Sequence, residues 1–237
     1  SFIINKISEL DNNFSNYEKN NEFHKIYVEL LNFCTIDLSS LYFDIRKDCL
    51  YCDDQDSQKR KNSINTLKYS LYFLLKWLHP ILVFTTEEVF QVLKSNSKNS
   101  EKFEESIFLV DFKKIKNQNN VNFDVSAWEI LQKIKTEINQ IFEDMRNNKI
   151  IKSGLETIIN IQCSQKYSTI FEKINLTDFF VCSKVQIIKN KVENSKMQSL
   201  KSVDDILVSV EKASGKKCDH CWKVSNVPCG RKNCAIK

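Results

Sequence analysis

Four cysteines near the end of the chain have the type and spacing that point most directly to chemistry. Cys218 and Cys221 stand as C-x2-C, and Cys229 and Cys234 complete a group of four within seventeen residues. A thiolate pair on a tight turn offers two soft ligands to one face of a tetrahedral zinc ion, and a second pair closes the shell. The spacing predicts one structural Zn2+ held by Cys218, Cys221, Cys229 and Cys234. His220 is another possible donor, but its place inside the C-x2-C turn predicts a ring pointing away from the metal. Lys216, Lys217, Lys223, Arg231, Lys232 and the aromatic Trp222 surround these cysteines. A small metal-stapled knob with cations and an indole suits nucleic acid. Trp222 has two readings: it stacks on an unpaired base, or it packs beneath the knob as its small core.

The remaining cysteines, Cys34, Cys49, Cys52, Cys163 and Cys182, are scattered and read as free thiols in a reducing compartment. No secretory layout begins the chain, and no apolar run is long enough to span a bilayer. The expectation is a cytoplasmic protein or one of an organellar matrix, a monomer with no membrane partner. The first residue is Ser1, which fits a piece of a longer protein.

Charge is unevenly placed. Residues 1–110 hold 13 basic and 16 acidic side chains, whereas residues 111–237 hold 22 and 14, so the second half carries a net +8. That half is the better candidate for a polyanion.

These groups must be positioned by helices for most of the chain. With only three glycines and two prolines, a turn-rich all-β fold is excluded. Residues 1–18 and 22–51 read as helices, the second from the spacing of Phe23, Ile26, Tyr27, Leu30, Leu31 and Cys34. Ser57 caps the next helix, which carries Ile64, Leu67, Leu71, Leu74, Leu75 and Leu78 on one face and ends near His79, before Pro80. Thr85 and Glu88 form a capping box, and Ser126 and Glu129 a second, ahead of a long helix to about Asn147. Trp77 and Trp128 fall on apolar faces as core residues, and His24 and His79 read as packing or helix-end residues. Residues 94–122 read as a surface linker. Short apolar runs at Thr157–Cys163 and Val185–Ile188, with a helical piece near Tyr167–Lys173, predict a small α/β unit. The fold class is therefore mainly α: a helical bundle with its linker (1–122), a long helix plus a small α/β junction domain (123–200), and a zinc-finger-like tail (201–237).

Three strings occur in one order: FHKIYVELLNFCTIDLSSLYFDIRKDCLY (Phe23–Tyr51), LKWLHPILVFTTEEVFQVL (Leu75–Leu93) and KCDHCWKVSNVPCG (Lys217–Gly230). Together they resemble the C-terminal part of bacterial-type isoleucyl-tRNA synthetases, class I enzymes that join isoleucine to tRNA(Ile) using ATP. The resemblance implies an anticodon-binding bundle, a junction domain and a zinc-binding tail. It implies that Arg46, Lys47 and Arg60 lie along the anticodon stem, and that Lys216, Lys217, Trp222, Lys223, Arg231 and Lys232 also contact tRNA. The HIGH-like and KMSKS-like motifs of the family's catalytic domain are absent from this sequence, so ATP and isoleucine sites are expected only outside it and no catalytic residue is assigned. The tail departs from the family pattern: the second pair is C-x4-C where C-x2-C is usual, which makes Cys234 the least secure ligand. A competing reading of the residues is a freestanding zinc-containing adaptor whose helices bind protein partners.

Overall fold

A computed structural model of the chain describes residues 2–97, 103–112, 123–188, 197–232 and 234. Two compact units emerge, one formed by Ser1–Leu38 with Lys61–Phe123 and the other by Ser39–Arg60 with Asp124–Lys237.

The first unit is helical. Helix α1 (Phe2–Lys19) buries Ile3, Ile7, Leu10 and Phe14, spaced four, three and four apart. That spacing puts them on one helical face. Helix α2 (Phe23–Asn32) runs without a break into a π-helical stretch (Phe33–Phe43) and then helix α3 (Asp44–Cys52). The expected helix at 22–51 is thus present, with a local change of pitch. Phe33 and Leu38 are both buried although five residues apart. On a regular α-helix that separation would turn them about 140° from each other. The wider i→i+5 turn brings such a pair closer to one face.

Helix α4 (Gln58–Leu78) follows Ser57, whose hydroxyl accepts a long hydrogen bond from the Arg60 amide (3.5 Å), as expected of a cap. Its deepest residues are Ser63, Ser70, Phe73, Leu75 and Trp77, while Ile64, Leu67, Leu71, Leu74 and Leu78 are only half-buried. Of the expected stripe only Leu75 is buried, and the deepest burial among large side chains lies on the aromatic residues. The rings explain this: Trp77 meets Phe14, Phe33 and Phe73 at centroid distances of 5.0, 6.0 and 5.4 Å. Large aromatic surfaces dominate the burial. The indole N–H of Trp77 donates to Asp11 (3.0 Å), which also pairs with the Lys76 ammonium at 2.5 Å.

Helix α5 (Val83–Ser95) begins two residues before the expected Thr85 cap. No side chain caps it; Thr86 donates its hydroxyl back to the Leu82 carbonyl. Glu87 instead accepts from the Ser106 hydroxyl (2.8 Å) and the Ile107 amide (2.9 Å), fixing a 3-10 turn at Ile107–Leu109. Ile107 is fully buried against Leu75 and Phe90. Residues 103–112 are therefore packed rather than a loose linker; residues 98–102 and 113–122 of that expected linker lie outside the described residues.

In the second unit, helix α6 (Val125–Asn147) is capped by Asp124, which accepts from the Ala127 amide at 2.9 Å, and not by Ser126. Its buried face, Leu131, Ile134, Ile138 and Phe142, packs in one core with Ile159, Ile161, Ile206 and Val208. These come from strands β1 (Thr157–Cys163) and β4 (Ile206–Lys212) of a sheet ordered β2-β1-β4-β3, with β2 at Lys184–Ile188 and β3 at Gln198–Ser199. Strands β1 and β2 are parallel and β1 and β4 antiparallel. The central strand β4 lies in the segment that sequence patterning assigned to the tail. Its run, Ile-Leu-Val-Ser-Val, lacks clean alternation because Ser209 is buried beside Asn160, whose amide donates to it at 3.2 Å. Helices α7 (Gln165–Phe171) and α8 (Leu176–Phe180) lie between β1 and β2 in the chain.

Asp11→Ala should leave the buried Trp77 N–H without its acceptor, costing about 1–3 kcal/mol. Urea unfolding is expected to show that loss, with Asp11→Asn losing less because its amide oxygen still accepts from the indole. An unchanged midpoint for Asp11→Ala would show that this pair does not hold the bundle.

Candidate metal centre and its surroundings

The knob begins as a two-stranded hairpin, β5 (Lys216–Lys217) with β6 (Val224–Ser225). Between them the chain doubles back on Cys218-x2-Cys221. The Cys218 amide donates to the Lys223 carbonyl (2.9 Å) and the Trp222 amide to the Cys218 carbonyl (2.7 Å). Closing so tight a turn forces Trp222 to φ +62°, unusual for a large side chain. Gly215 enters the hairpin at φ +128°, where a Cβ would lie 2.6 Å from the Ser225 backbone. Only glycine fits there.

This turn converges sulfur atoms. The Sγ atoms of Cys218, Cys221 and Cys229 lie within 4.8 Å of one another, with Cys218 and Cys221 buried. A tetrahedral zinc with Zn–S bonds of about 2.3 Å separates its sulfurs by about 3.8 Å. Three thiols at this separation form a donor set that fits a structural zinc. Cys234 packs against Cys218 and Cys221, and its sulfur accepts the Cys229 amide at 3.1 Å. Gly230, at φ +78°, starts the return between these two cysteines. Burial raises the Cys221 thiol, and it raises Cys229 to about 11, with the neighbouring Cys234 and Cys221 sulfurs adding to the shift. Without metal, Cys221 and Cys229 are therefore held as neutral thiols. A divalent cation reverses that preference and releases their protons on binding.

His220 lies inside the turn and is not among the converging donors. Its Nε2 is 3.2 Å from the Cys52 carbonyl, and the Cys52 thiol donates to the His220 carbonyl at 3.3 Å. Cys52 thus leaves the scattered group and packs beside the cluster.

The basic residues around the knob divide by what they touch. Arg231 is bidentate on Asp48 (3.1 and 2.7 Å), and its Nε donates to Asp53 at 2.8 Å. Lys223 lies 3.2 Å from Asp48 and 3.8 Å from Asp178, which also pairs with Lys59. Burial raises the Asp48 carboxyl, but hydrogen bonds and charge from Arg231 and Lys223 hold it below its ordinary value overall. Arg231 and Lys223 are thus committed to carboxylates within the fold, a structural use that leaves them little to offer a phosphate. Arg60 donates to the Asp53 carbonyl at 3.1 Å, and Arg46 is half-buried. Lys47 is exposed and pairs with Asp44 at 2.7 Å; Lys217 pairs with Glu156 at 3.3 Å. Lys216 is exposed, Lys232 is 81% exposed along its side chain, and Trp222 is 62% exposed, so the indole is no core for the knob. Asp48 and Asp53 escaped sequence reasoning because nothing local marks them; their partner is 183 and 178 residues away.

A family model described as the anticodon-binding domain of tRNA ligase matches residues 1–161, and the chain belongs to that family. Among similar curated proteins is the isoleucine--tRNA ligase of Pelagibacter ubique, 37% identical over 230 residues, covering 97% of this chain and 23% of that protein. The isoleucine--tRNA ligase of Wigglesworthia glossinidia brevipalpis is 36% identical over 219 residues (89% and 22%), and that of Lawsonia intracellularis 33% over 217 (91% and 22%). The chain spans just under a quarter of the length of these relatives. Among the described residues no helix is long and apolar enough to cross a membrane.

Replacing both Cys218 and Cys221 by Ser should abolish metal retention, from about one zinc per chain to none. Elemental analysis after dialysis reads this directly. The helices of the first unit should keep their circular dichroism, because no cysteine of the cluster comes from them. Full zinc retention by the double variant would remove the assignment.

Proposed function

We propose that this chain is the tRNA(Ile)-recognition portion of an isoleucine--tRNA ligase, with the amino-acid-activating chemistry lying outside it. The observation that carries this reading is the extent of similarity to isoleucine--tRNA ligases. It covers 97% of the chain, and so reaches beyond the residues 1–161 of the anticodon-binding match into the cysteine knob. On this reading residues 1–122 serve as the anticodon-binding bundle and linker, 123–200 as the junction domain and 201–237 as the zinc tail. Zn2+ is structural, with Cys234 as the fourth ligand beside Cys218, Cys221 and Cys229. The protein acts as a monomer in the cytoplasm or an organellar matrix.

Recognition would divide between two kinds of contact. Lys47, Lys216, Lys217 and Lys232, exposed at the surface, supply phosphate neutralisation. Arg46 and Arg60 add directional donors along the stem. Trp222 supplies a stacking face for an unstacked loop base. Lys223 and Arg231 serve this binding by holding the knob in place. Base identity is read in the loop, since phosphates carry no sequence information. The whole ligase would join isoleucine to tRNA(Ile) with ATP; this chain supplies the docking.

Two measurements test the proposal. Filter binding at two salt concentrations should give tighter binding of tRNA(Ile) than of an unrelated tRNA, weakening as salt rises through counterion release. Deleting residues 216–237 should weaken it. Equal, salt-independent binding of both RNAs, or no binding, would favour a protein-binding adaptor. Isoleucine-dependent ATP–pyrophosphate exchange by the purified chain should stay at background, and robust exchange would overturn the division of labour.

A further inference from the structure

Among the described residues of the unit formed by 39–60 and 124–237, the two most exposed aromatic rings are Tyr51, at 82%, and Trp222, at 62%. They come from remote parts of the chain, the last turn of α3 and the cysteine turn. The reciprocal contact of Cys52 with His220 brings these parts together. Tyr51 precedes Cys52, and Trp222 lies two residues beyond His220. With consecutive Cα atoms 3.8 Å apart, the backbones bearing the two rings lie within about 20 Å of each other.

A single exposed aromatic needs no explanation. Two exposed rings on segments joined by one contact, with cations on the same segments, ask for a partner that has flat apolar faces and negative charge. Lys47 stands one helical turn before Tyr51 on α3, a spacing that puts the two side chains on the same helix surface. Exposed Lys216, Lys217 and Lys232 belong to the same knob as Trp222. Tyr51 itself does little for the fold, since a ring so exposed contributes almost no burial. Single-stranded nucleic acid has the required character: every base offers a π-face, and its backbone takes the lysines.

We infer that Tyr51 is a base-stacking residue that works with Trp222 on unstacked bases of an RNA loop, while Lys47 contacts a phosphate of the same strand. The inference rests on the tRNA-binding reading above and adds to it a residue that neither the sequence pattern nor the comparisons single out.

Stacking and phosphate contact leave different signatures in salt. The test uses the zinc-loaded full chain and an anticodon stem-loop RNA with 2-aminopurine in the loop, titrated at several salt concentrations. Tyr51→Ala should weaken binding about 5- to 150-fold and reduce the quenching of 2-aminopurine, with the slope of log affinity against log salt unchanged. Tyr51→Phe keeps the π-face and should remain within about twofold of the parent. Lys47→Ala should weaken binding and flatten the slope. Zinc content and circular dichroism confirm that each variant is folded. Parent-like binding by Tyr51→Ala, beside salt-sensitive binding by the parent chain, would overturn the role of Tyr51 and leave the tRNA reading standing. Equal losses for Tyr51→Ala and Tyr51→Phe would assign the effect to the hydroxyl and overturn stacking. Failure of the parent chain to bind any RNA would overturn both.

Discussion

Arg231 holds the second unit together in a way that few other side chains could. Its planar fork meets Asp48 with two hydrogen bonds and Asp53 with a third, in a half-buried setting where all three groups are largely shielded from water. Lysine, a point charge, cannot satisfy two carboxylates with that geometry. The contact ties the knob to α3 and the turn after it. Lys223 extends the network to Asp178 at α8. Because Asp48 titrates below its unfolded value, its contribution is fully present above the ordinary carboxylate range near about pH 4 and is lost as pH falls through the lowered value.

The metal centre and this ion-pair network solve one problem by different means. A knob of some twenty residues buries almost nothing of its own: Cys218 and Cys221 form its buried cluster, and Trp222 faces solvent. Below a few dozen residues a hydrophobic core rarely suffices, and cross-links take over. Thiolates around zinc would fix the turn internally, while Arg231, Lys223 and the Cys52–His220 contact fix it externally. The charges one would first assign to RNA are therefore divided. Buried ones organise the protein, and the exposed Lys47, Lys216 and Lys232 remain at the surface.

Folded this way, the positive excess of the second half has a different meaning from the one its composition suggests. Part of it is neutralised within the fold by Asp48 and Asp53 of the first half, which pair with Lys223 and Arg231. The surface that remains is less strongly basic, and Tyr51 and Trp222 stand exposed on it. Under the proposed docking role, such a surface would suit unstacked loop bases better than duplex backbone.

Much of this was determined by sequence alone. The C-x2-C pair at 218–221, with Cys229 and Cys234 close behind, predicts converging thiols because four soft donors within seventeen residues can close a tetrahedral shell. Pro80 ends α4 because its ring disfavours helical geometry before it. Thr157–Cys163 reads as a strand from its β-branched run. The helical segments follow from apolar spacing. Tertiary structure decided what local pattern leaves open. The deepest large side chains of α4 are Phe73 and Trp77, with Leu75 the one buried leucine of the stripe, because ring packing outweighs smaller side chains. Asp124 caps α6 in place of Ser126, since its carboxylate reaches the Ala127 amide. Strand β4 belongs to the sheet because β1 needs an antiparallel partner on its free edge. The neighbours of the cysteine knob, Asp48, Cys52 and Asp53, lie more than 160 residues upstream, and only folding brings them to it. Side-chain types and short-range spacing are local properties, whereas ion-pair partners and exposed ring pairs depend on how distant segments meet.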